Sequence, residues 1–165
     1  MAGPPKRRRG FTLIEVLIVS AIIGILVAMA ASNLRSVMNR ARQKRTMADM
    51  RTLAIGIDSY ETDFSGFPAA AGYALPSGLS LPTATIGAIV SEISPTYLRS
   101  VPLVDGWNSW FTYGTDSLRA NYALRSNGSD GTPDSSPPFG ETHTFESDII
   151  LVNGSFIQLP EGVQK

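Results

Sequence analysis

The sequence contains no cysteine and a single histidine, His143, among its 165 residues. The lack of cysteine excludes a disulfide framework, thiol chemistry and cysteine-ligated metal sites. The sequence also contains no glycine-rich phosphate loop, no serine elbow of the α/β-hydrolase type and no pair of catalytic acids. Because His143 lacks a nucleophile motif to work with, we interpret it as a solvated loop residue. These absences favour a structural or binding protein over an enzyme.

The net charge is zero, but the charges are unevenly distributed along the chain. Lys6 to Arg9 form a basic run near the start, and a second basic group follows an apolar segment. The second group consists of Arg35, Arg40, Arg42, Lys44, Arg45 and Arg51. From Ser65 onward the chain has four basic residues against nine acidic ones. This acidic part gives no indication of nucleic-acid binding, and we expect no nucleic-acid partner.

The segment from Phe11 to Ala31 is apolar throughout, with Glu15 as its one charged residue. About 21 helical residues span roughly 30 Å, which is the thickness of the hydrocarbon core of a bilayer. A secretory signal peptide has a shorter apolar core, followed by a small residue at the cleavage site. Here the small residue, Gly10, precedes the apolar run. We therefore predict a retained membrane-spanning helix.

The charges beside this segment favour two opposite orientations in the membrane. The basic leader favours a cytoplasmic N-terminus, whereas the basic residues from Arg35 to Arg45 favour the reverse. We prefer the first orientation because the charges of the leader are contiguous and adjoin the helix. Glu15 is either a charge tolerated near the interface or one that pairs with a cation at the same depth. Cleavage after Gly10 would create such a cation, the α-amino group of Phe11 on a neighbouring subunit.

The residues Gly10-Phe11-Thr12-Leu13-Ile14-Glu15, between a short basic leader and a long apolar run, resemble a known signal. They are similar to the class III motif of type IV prepilins and type II secretion pseudopilins. The resemblance implies that prepilin peptidase, a membrane aspartic protease, cuts after Gly10. It further implies that Phe11 becomes a methylated N-terminus and that Glu15 acts in assembly. Ser32 departs from the family, which often has proline there, so melting of the helix on assembly is not implied.

Apolar residues recur every three or four positions from Leu34 to Phe64, which is the pattern of one helix face. Basic residues occupy the opposite face, and we interpret the apolar stripe as a packing surface. Because no proline interrupts Phe11 to Phe64, the pattern predicts one continuous helix. Gly66 and Pro68 are predicted to end it, since glycine can adopt the left-handed cap and proline cannot continue the hydrogen bonding.

The predicted organisation has four parts: a leader (1–10), a transmembrane helix (11–34), its amphipathic continuation (35–65) and a globular head (66–165). In the head, Ala69 to Thr85 is predicted as a loop and Thr85 to Ile93 as a short helix. The predicted strands are Phe111 to Tyr113, Asn121 to Arg125, Asp148 to Val152 and Gly154 to Gln158. Asn153-Gly154 predicts a hairpin turn, and we interpret the Asn127-Gly128-Ser129 sequence as a turn as well.

The predicted fold class is α+β, with a long N-terminal helix packed against a small antiparallel sheet, as in the type IV pilin fold. Four aromatic residues are expected at or near the interface between the helix and the sheet, namely Trp107, Trp110, Phe111 and Tyr122.

Two further segments of the head resemble major pseudopilins. Asp105-Gly106-Trp107-Asn108 is similar to their tryptophan segment, although Ser109 and Trp110 depart from it. Asn121 to Gly131 and Ser147 to Ile150 are similar to the two ends of a loop that binds calcium in that family. The stretch from Thr132 to Glu146 between these ends is unusually long and contains proline.

The resemblance implies a calcium ion as cofactor. Hard oxygen ligands suit calcium, and one glycine- and proline-rich stretch concentrates five carboxylates. They belong to Asp130, Asp134, Glu141, Glu146 and Asp148. Their spacing is not that of an EF-hand, and a solvated acidic loop is the alternative. The resemblance implies Asp130 and Asp148 as ligands, and Asp134 is added because it is close to them in sequence.

The resemblance implies a structural subunit of a type II secretion pseudopilus, a helical filament that drives protein secretion. It places the N-terminus in the cytoplasm, the helix in the bacterial inner membrane and the head in the periplasm. The implied partners are further copies of the chain, minor pseudopilins, prepilin peptidase and the inner-membrane assembly platform. The alternatives are a type IV pilin of a surface fibre for adhesion, motility or DNA uptake, and a membrane-anchored binding module. Major surface pilins commonly carry a C-terminal disulfide, so the lack of cysteine argues against the first alternative.

Overall fold

The structure, a computed structural model, describes residues 10–70, 84–162 and 164. Most of the predicted leader and most of the predicted loop from Ala69 to Thr85 lie outside the described residues. The chain divides into two compact units, Met1–Val37 and Met38–Lys165. Helix α1 (Leu13–Phe64) begins in the first unit and ends in the second.

The first unit is helical from Leu13 onward. Thr12 caps the helix, because the backbone N–H of Glu15 donates to Thr12 Oγ1 at 3.3 Å. Every side chain from Phe11 to Met29 is exposed. Among the residues described, α1 is the one helix long and apolar enough to cross a membrane, with a mean hydropathy of 2.7 over its most apolar window. This finding agrees with the predicted membrane-spanning segment.

The second unit contains the remainder of α1 and one sheet. Its further elements are β1 (Ala84–Thr85), a 3-10 turn (Ile86–Ile89), α2 (Val90–Ile93), β2 (Thr112–Thr115), β3 (Tyr122–Ser126), β4 (Gly140–Thr142), β5 (Ile149–Val152) and β6 (Ser155–Pro160). The described strands form a six-stranded sheet in the order β1-β2-β3-β5-β6-β4. Neighbouring strands are antiparallel apart from β4 and β6, which run parallel. The fold class is α+β as predicted, and the sheet is mostly rather than wholly antiparallel.

The core of the second unit lies between α1 and the sheet. Leu53, Ile57 and most other buried residues of α1 recur every three or four positions, so they lie on one face of the helix. They pack against aromatic and aliphatic residues of the sheet, which include Tyr113, Tyr122 and Leu124. Burying one such side chain completely contributes about 1.5–3 kcal/mol.

The buried stripe of α1 is shorter than the sequence pattern predicts. Its buried apolar residues extend from Met50 to Tyr60, preceded by the buried polar residues Gln43 and Thr46, whereas Met38 and Phe64 are 49% and 60% exposed. The periodicity of a helix shows which residues share a face, but the length of the sheet decides how much of that face is covered.

The four predicted strands of the head are confirmed as β2, β3, β5 and β6 with small differences in their bounds, whereas β1 and β4 were not predicted. Asn153 and Gly154 both have positive φ, 45° and 78°, as the predicted hairpin turn between β5 and β6 requires. β1 has two residues and ends the predicted loop from Ala69 to Thr85, and β4 lies inside the long stretch from Thr132 to Glu146, where no strand was predicted. Because β4 has three residues and pairs with β6 from a distance in sequence, no local pattern marks it.

The end of α1 differs from the prediction. Ser65, with φ of 53°, adopts the left-handed conformation in place of Gly66. Gly66 instead packs against Arg119, where a Cβ atom would lie 3.3 Å from Arg119 Cβ. The guanidinium of Arg119 donates hydrogen bonds to the carbonyls of Gly66 and Phe67. The segment after the helix is thus held by a tertiary contact rather than by a glycine cap.

The interface prediction is right for two aromatic residues and wrong for one. Phe111 and Tyr122 are completely buried in the core. Trp110 is half exposed because it lies at an isolated bridge with Val104, outside the main strands. Trp107 is partly buried in the turn that follows Asp105.

Candidate functional site

The predicted processing and assembly residues lie at the start of the first unit. Gly10 is exposed, and the side chain of Phe11 is 82% exposed. The carboxylate of Glu15 is also exposed, on a helix surface that is otherwise apolar. The ion pairs found among the described residues do not include Glu15. Glu15 therefore has no described cation of its own chain beside it, and its role in assembly stays a prediction.

The second candidate site is the loop between β3 and β5, where strand pairing brings the two loop ends together. The last pair of this antiparallel ladder is Ser126 with Ile149. Asn127 and Asp148 are the next residues beyond that pair, so they face each other where the strands separate. Asp148 is completely buried, and Asn127 is partly buried.

Asp134 and Asp148 hold each other through two reciprocal hydrogen bonds. The backbone N–H of Asp134 donates to Asp148 Oδ2, and the backbone N–H of Asp148 donates to Asp134 Oδ2, both at 3.1 Å. These bonds fold the long loop back onto its own end. They bring together the two aspartates that the sequence grouped by proximity alone.

Asp130 lies nearby but is exposed. Its Oδ1 accepts the backbone N–H of Thr132 at 3.1 Å, and its Oδ2 accepts the Thr132 hydroxyl. Burial raises the pKa of Asp148 to about 6, and the charges of Asp134 and Asp130 add to this rise. The backbone N–H of Asp134 and the charge of Arg125 act in the opposite direction. The loop therefore concentrates negative charge around a buried carboxyl group.

Glu141 and Glu146 do not join this group. Glu141 lies on β4 and contacts Glu161, whose pKa is raised by the hydrogen bond between the two carboxyl groups. Glu146 is exposed. Within residues 10–70, 84–162 and 164, no group of three or more acidic or histidine side chains is arranged to hold a metal ion. His143 is exposed and its Nδ1 lies 2.9 Å from the carbonyl oxygen of Glu161.

The loop nevertheless contains oxygen atoms that suit a cation. Asp148 Oδ1 and Asn127 Oδ1 are buried, and neither has a hydrogen-bond partner among the described residues. A buried polar atom without a partner is costly, so such atoms call for an explanation. Carboxylate and amide oxygens are the ligands that calcium prefers. Asp148 Oδ1 and Asn127 Oδ1 are therefore oxygens of the kind that calcium takes, and Asp134 and Asp130 lie close to them in the loop.

Gly128 allows the loop to close. Its φ is 66°, and a Cβ atom at this position would lie 2.4 Å from the carbonyl oxygen of Glu146. The next residue, Ser129, donates its backbone N–H to the carbonyl of Phe145 at 2.8 Å. No residue other than glycine fits this approach without a shift of the backbone.

The Asp105 turn supports the same strand end. Asp105 Oδ1 accepts the backbone N–H groups of Trp107 and Ser109, each at 2.9 Å. Its Oδ2 accepts the hydroxyl of Ser126 at 2.6 Å. Gly106 lies against α1, with its N–H donating to Thr46 Oγ1 at 2.9 Å. This turn therefore links α1 to the end of β3, where the loop begins.

The sequence analysis did not identify two residues beside Asp148, namely Arg125 on β3 and Asn127 at the start of the loop. Arg125 is 6% exposed, and its Nε lies 3.7 Å from Asp148 Oδ2. Its signal was an arginine at the end of a predicted strand, directly after Tyr122, Ala123 and Leu124. Asn127 was interpreted as part of a turn, and no local pattern reveals that its amide oxygen is buried beside Asp148.

Two family matches together cover most of the chain. The prokaryotic N-terminal methylation motif matches residues 5–31. The type II secretion system (T2SS), protein G, family matches residues 33–139. The chain belongs to the type II secretion system protein G family. The first match includes Gly10, Phe11 and Glu15, and the second includes Asp130 and Asp134. Because members of this family are structural pseudopilins, the chain is a structural pseudopilin.

Similar proteins in three bacteria carry the name type II secretion system core protein G. The protein of Klebsiella pneumoniae is 29% identical over 135 residues, which cover 82% of this chain and 94% of that protein. The protein of Dickeya chrysanthemi is 27% identical over 147 residues, covering 82% and 86% of the two chains. That of Pseudomonas aeruginosa is 28% identical over 132 residues, covering 76% and 87%. No solved structure matches the chain significantly. The resemblance to pseudopilins that the sequence indicated is confirmed.

Proposed function

We propose that the chain is cleaved after Gly10, methylated on Phe11 and polymerised into the pseudopilus of a type II secretion system. The observation that carries this proposal is the exposed apolar surface from Phe11 to Met29. Only lipid or other apolar helices can cover such a surface. In a filament outside the membrane the lipid is gone, so helices of neighbouring subunits must take its place.

Glu15 supplies a reason for neighbouring helices to take up a defined register. A charged carboxylate in hydrocarbon costs about 2.5 kcal/mol or more and is normally paired. The α-amino group of Phe11, freed by cleavage after Gly10, is a cation of suitable depth on an adjacent subunit. Pairing of these two groups would offset much of the cost and fix how far one subunit advances on the next.

The same proposal assigns a location and partners. The basic leader holds the N-terminus in the cytoplasm, α1 spans the inner membrane and the head lies in the periplasm. The partners are further copies of the chain, minor pseudopilins, prepilin peptidase and the inner-membrane assembly platform. The chain acts as a structural subunit with no catalytic role.

The test is to express the chain in a type II secretion strain that lacks its own protein G subunit. Mass spectrometry of sheared filaments should find an N-terminus at methylated Phe11, and secretion should be restored. A Gly10→Val variant should remain uncleaved and unassembled, because the bulky side chain occupies the cleavage position. Gly24→Ala is the matched control, since nothing lies within 4 Å of the added Cβ. Filaments that begin at Met1 would refute the processing step.

We further propose that calcium binds the loop from Asn127 to Asp148. Bound calcium would supply positive charge and oxygen coordination where Asp130, Asp134 and Asp148 repel one another. The loop residues would then hold the ends of β3 and β5 together, which anchors the C-terminal hairpin. Asp148 Oδ1 and Asn127 Oδ1, which are buried and have no hydrogen-bond partner in the part of the chain that the structure describes, support this proposal.

Thermal unfolding of the full chain in detergent tests the calcium site. A ligand that binds only the folded state stabilises it by about 2.7 kcal/mol at 100 times its dissociation constant. The head should therefore melt at a higher temperature in calcium than in chelator. Asp130→Ala and Asp148→Ala should each remove most of this difference, and Glu141→Ala, the control on β4, should leave it nearly intact. An equal Tm in both conditions would mean that the loop is a solvated acidic segment.

A further inference from the structure

We propose that Arg125 is a built-in counter-cation of the calcium loop, which weakens calcium binding and holds the loop folded when calcium is absent. This inference rests on the calcium site proposed above. It assigns a function to a residue that lies on β3 rather than in the loop, and that would donate no oxygen to a metal ion.

The position of Arg125 is fixed from both sides by the sheet. In the register of the strands it pairs with Thr112 on β2 and Ile150 on β5. The residue is 6% exposed, so its guanidinium is largely removed from water. Arg125 Nε is buried and has no hydrogen-bond partner among the residues that the structure describes. A buried charge in this state is costly unless an opposite charge lies close by.

The opposite charge is that of Asp148, whose two oxygens have different surroundings. Asp148 Oδ2 lies 3.7 Å from Arg125 Nε and accepts the N–H of Asp134 at 3.1 Å. Asp148 Oδ1 is the oxygen without a described partner. One carboxylate can therefore serve two cations, the guanidinium at Oδ2 and a metal ion at Oδ1.

Two effects of opposite sign follow from this shared carboxylate. With calcium bound, the guanidinium and the ion share Asp148 and repel each other in a partly dehydrated site. Repulsion between charges a few ångströms apart in such surroundings weakens binding by at least about tenfold. Without calcium, the guanidinium compensates Asp148, so the loop avoids an unpaired buried carboxylate. Arg125 would thus raise the calcium concentration at which the loop becomes occupied. At lower calcium concentrations it would keep the empty loop folded.

A purely structural role of Arg125 makes a different prediction. The stem of an arginine packs like an apolar side chain, and its removal can destabilise a protein through lost packing. Such a loss would lower the Tm by a similar amount in calcium and in chelator, and it would leave the calcium affinity unchanged. The affinity therefore separates the two roles.

The experiment compares the full chain in detergent with its Arg125→Met variant, by calcium titration calorimetry and by Tm in chelator. Arg125→Met should bind calcium at least about tenfold more tightly, about 1.4 kcal/mol, and should melt lower in chelator. Arg125→Lys should stay close to the original chain, because it keeps the charge. Arg99→Met removes an exposed charge of the head and should change neither quantity. Arg125→Gln replaces Arg125→Met if the latter does not fold.

The outcomes distinguish this inference from the calcium proposal. Calcium binding of equal or lower affinity in the Arg125→Met and Arg125→Gln variants would overturn the role of Arg125 and leave the calcium site standing. Binding by these variants but not by the original chain would support the inference. If neither the original chain nor the variants bind calcium, the calcium site is wrong and the inference falls with it.

Discussion

The two units of the chain differ in where their apolar side chains find cover. In the first unit, every side chain from Phe11 to Met29 is exposed. In the second unit, Leu53, Ile57 and Tyr122 are completely buried within the chain itself. The same helix, α1, thus changes from a surface that is apolar all round to one with a single apolar face. The comparison shows that the second unit can satisfy its own packing, whereas the first depends on lipid or on other subunits.

The largest effect is expected at the charge that interrupts the exposed apolar surface. Glu15→Leu should insert into the membrane at least as well as the original chain, because a costly carboxylate is removed. It should nevertheless fail to form filaments, since the proposed pair with Phe11 of a neighbour is lost. Counting filaments by electron microscopy in a strain without its own subunit measures this. Ser20→Leu, a change on the same exposed helix that leaves Glu15 in place, should assemble normally. Normal filaments from Glu15→Leu would contradict the pairing.

A pair of substitutions two residues apart on α1 compares covered and uncovered surface within the second unit. Leu53 is completely buried, and Ile55 is 65% exposed. Leu53→Ala should lower the free energy of unfolding by about 2–5 kcal/mol, because it leaves a cavity in the core. Ile55→Ala should change it by about 0.5 kcal/mol or less. Chemical unfolding followed by tryptophan fluorescence gives both values. A loss of similar size in both variants would mean that the outer face of α1 is also covered.

Substitutions of one glycine in each unit compare a tightly packed backbone position with an open one. A Cβ atom on Gly106 would lie 2.4 Å from the backbone oxygen of Arg42, whereas one on Gly24 would have nothing within 4 Å. Gly106→Ala should therefore push the Asp105 turn away from α1, at a cost of about 1–3 kcal/mol in unfolding free energy. Gly24→Ala should leave the unfolding of the head unchanged. Near-ultraviolet circular dichroism during heating measures both, and an unaffected Gly106→Ala variant would exclude the close contact.

The smallest effect is expected at the surface of the second unit. Arg45 Nε lies 3.4 Å from Asp49 Oδ2, and the arginine side chain is 69% exposed. The Asp49 side chain is 26% exposed, and its Oδ2 is buried. Because the guanidinium is largely in water, the pair should contribute about 0.3–0.5 kcal/mol, as pairs four residues apart on a helix do, and should be screened by salt. A double-mutant cycle with Arg45→Met and Asp49→Asn should give a coupling of this size at low salt and a smaller one at high salt. A coupling above about 1 kcal/mol, or one insensitive to salt, would show that the pair is shielded from solvent.

Predictions from sequence succeeded where a pattern is local. A continuous apolar run predicts the exposed helix, a three-to-four periodicity predicts the packing face of α1, and Asn153-Gly154 predicts its hairpin. Each of these features depends on the backbone geometry or the hydrophobicity of neighbouring residues. The rest of the fold therefore has little influence on it. The signal around Gly10 is of the same kind, since its residues are consecutive.

Only the tertiary structure decided the contacts between distant residues. Ser65 rather than Gly66 takes the left-handed conformation, because Gly66 packs against Arg119 from another part of the chain. β4 exists because β6 offers it a partner. Asn127 faces Asp148, and Arg125 on β3 lies near it, because the ladder of β3 and β5 sets their register. The sequence determined the long helix, its apolar run and the four longer strands of the head, since these follow from local backbone and solvent preferences. Which side chains lie beside the buried carboxylate of Asp148 depends on the register between strands. This register cannot be derived from the sequence of either strand alone.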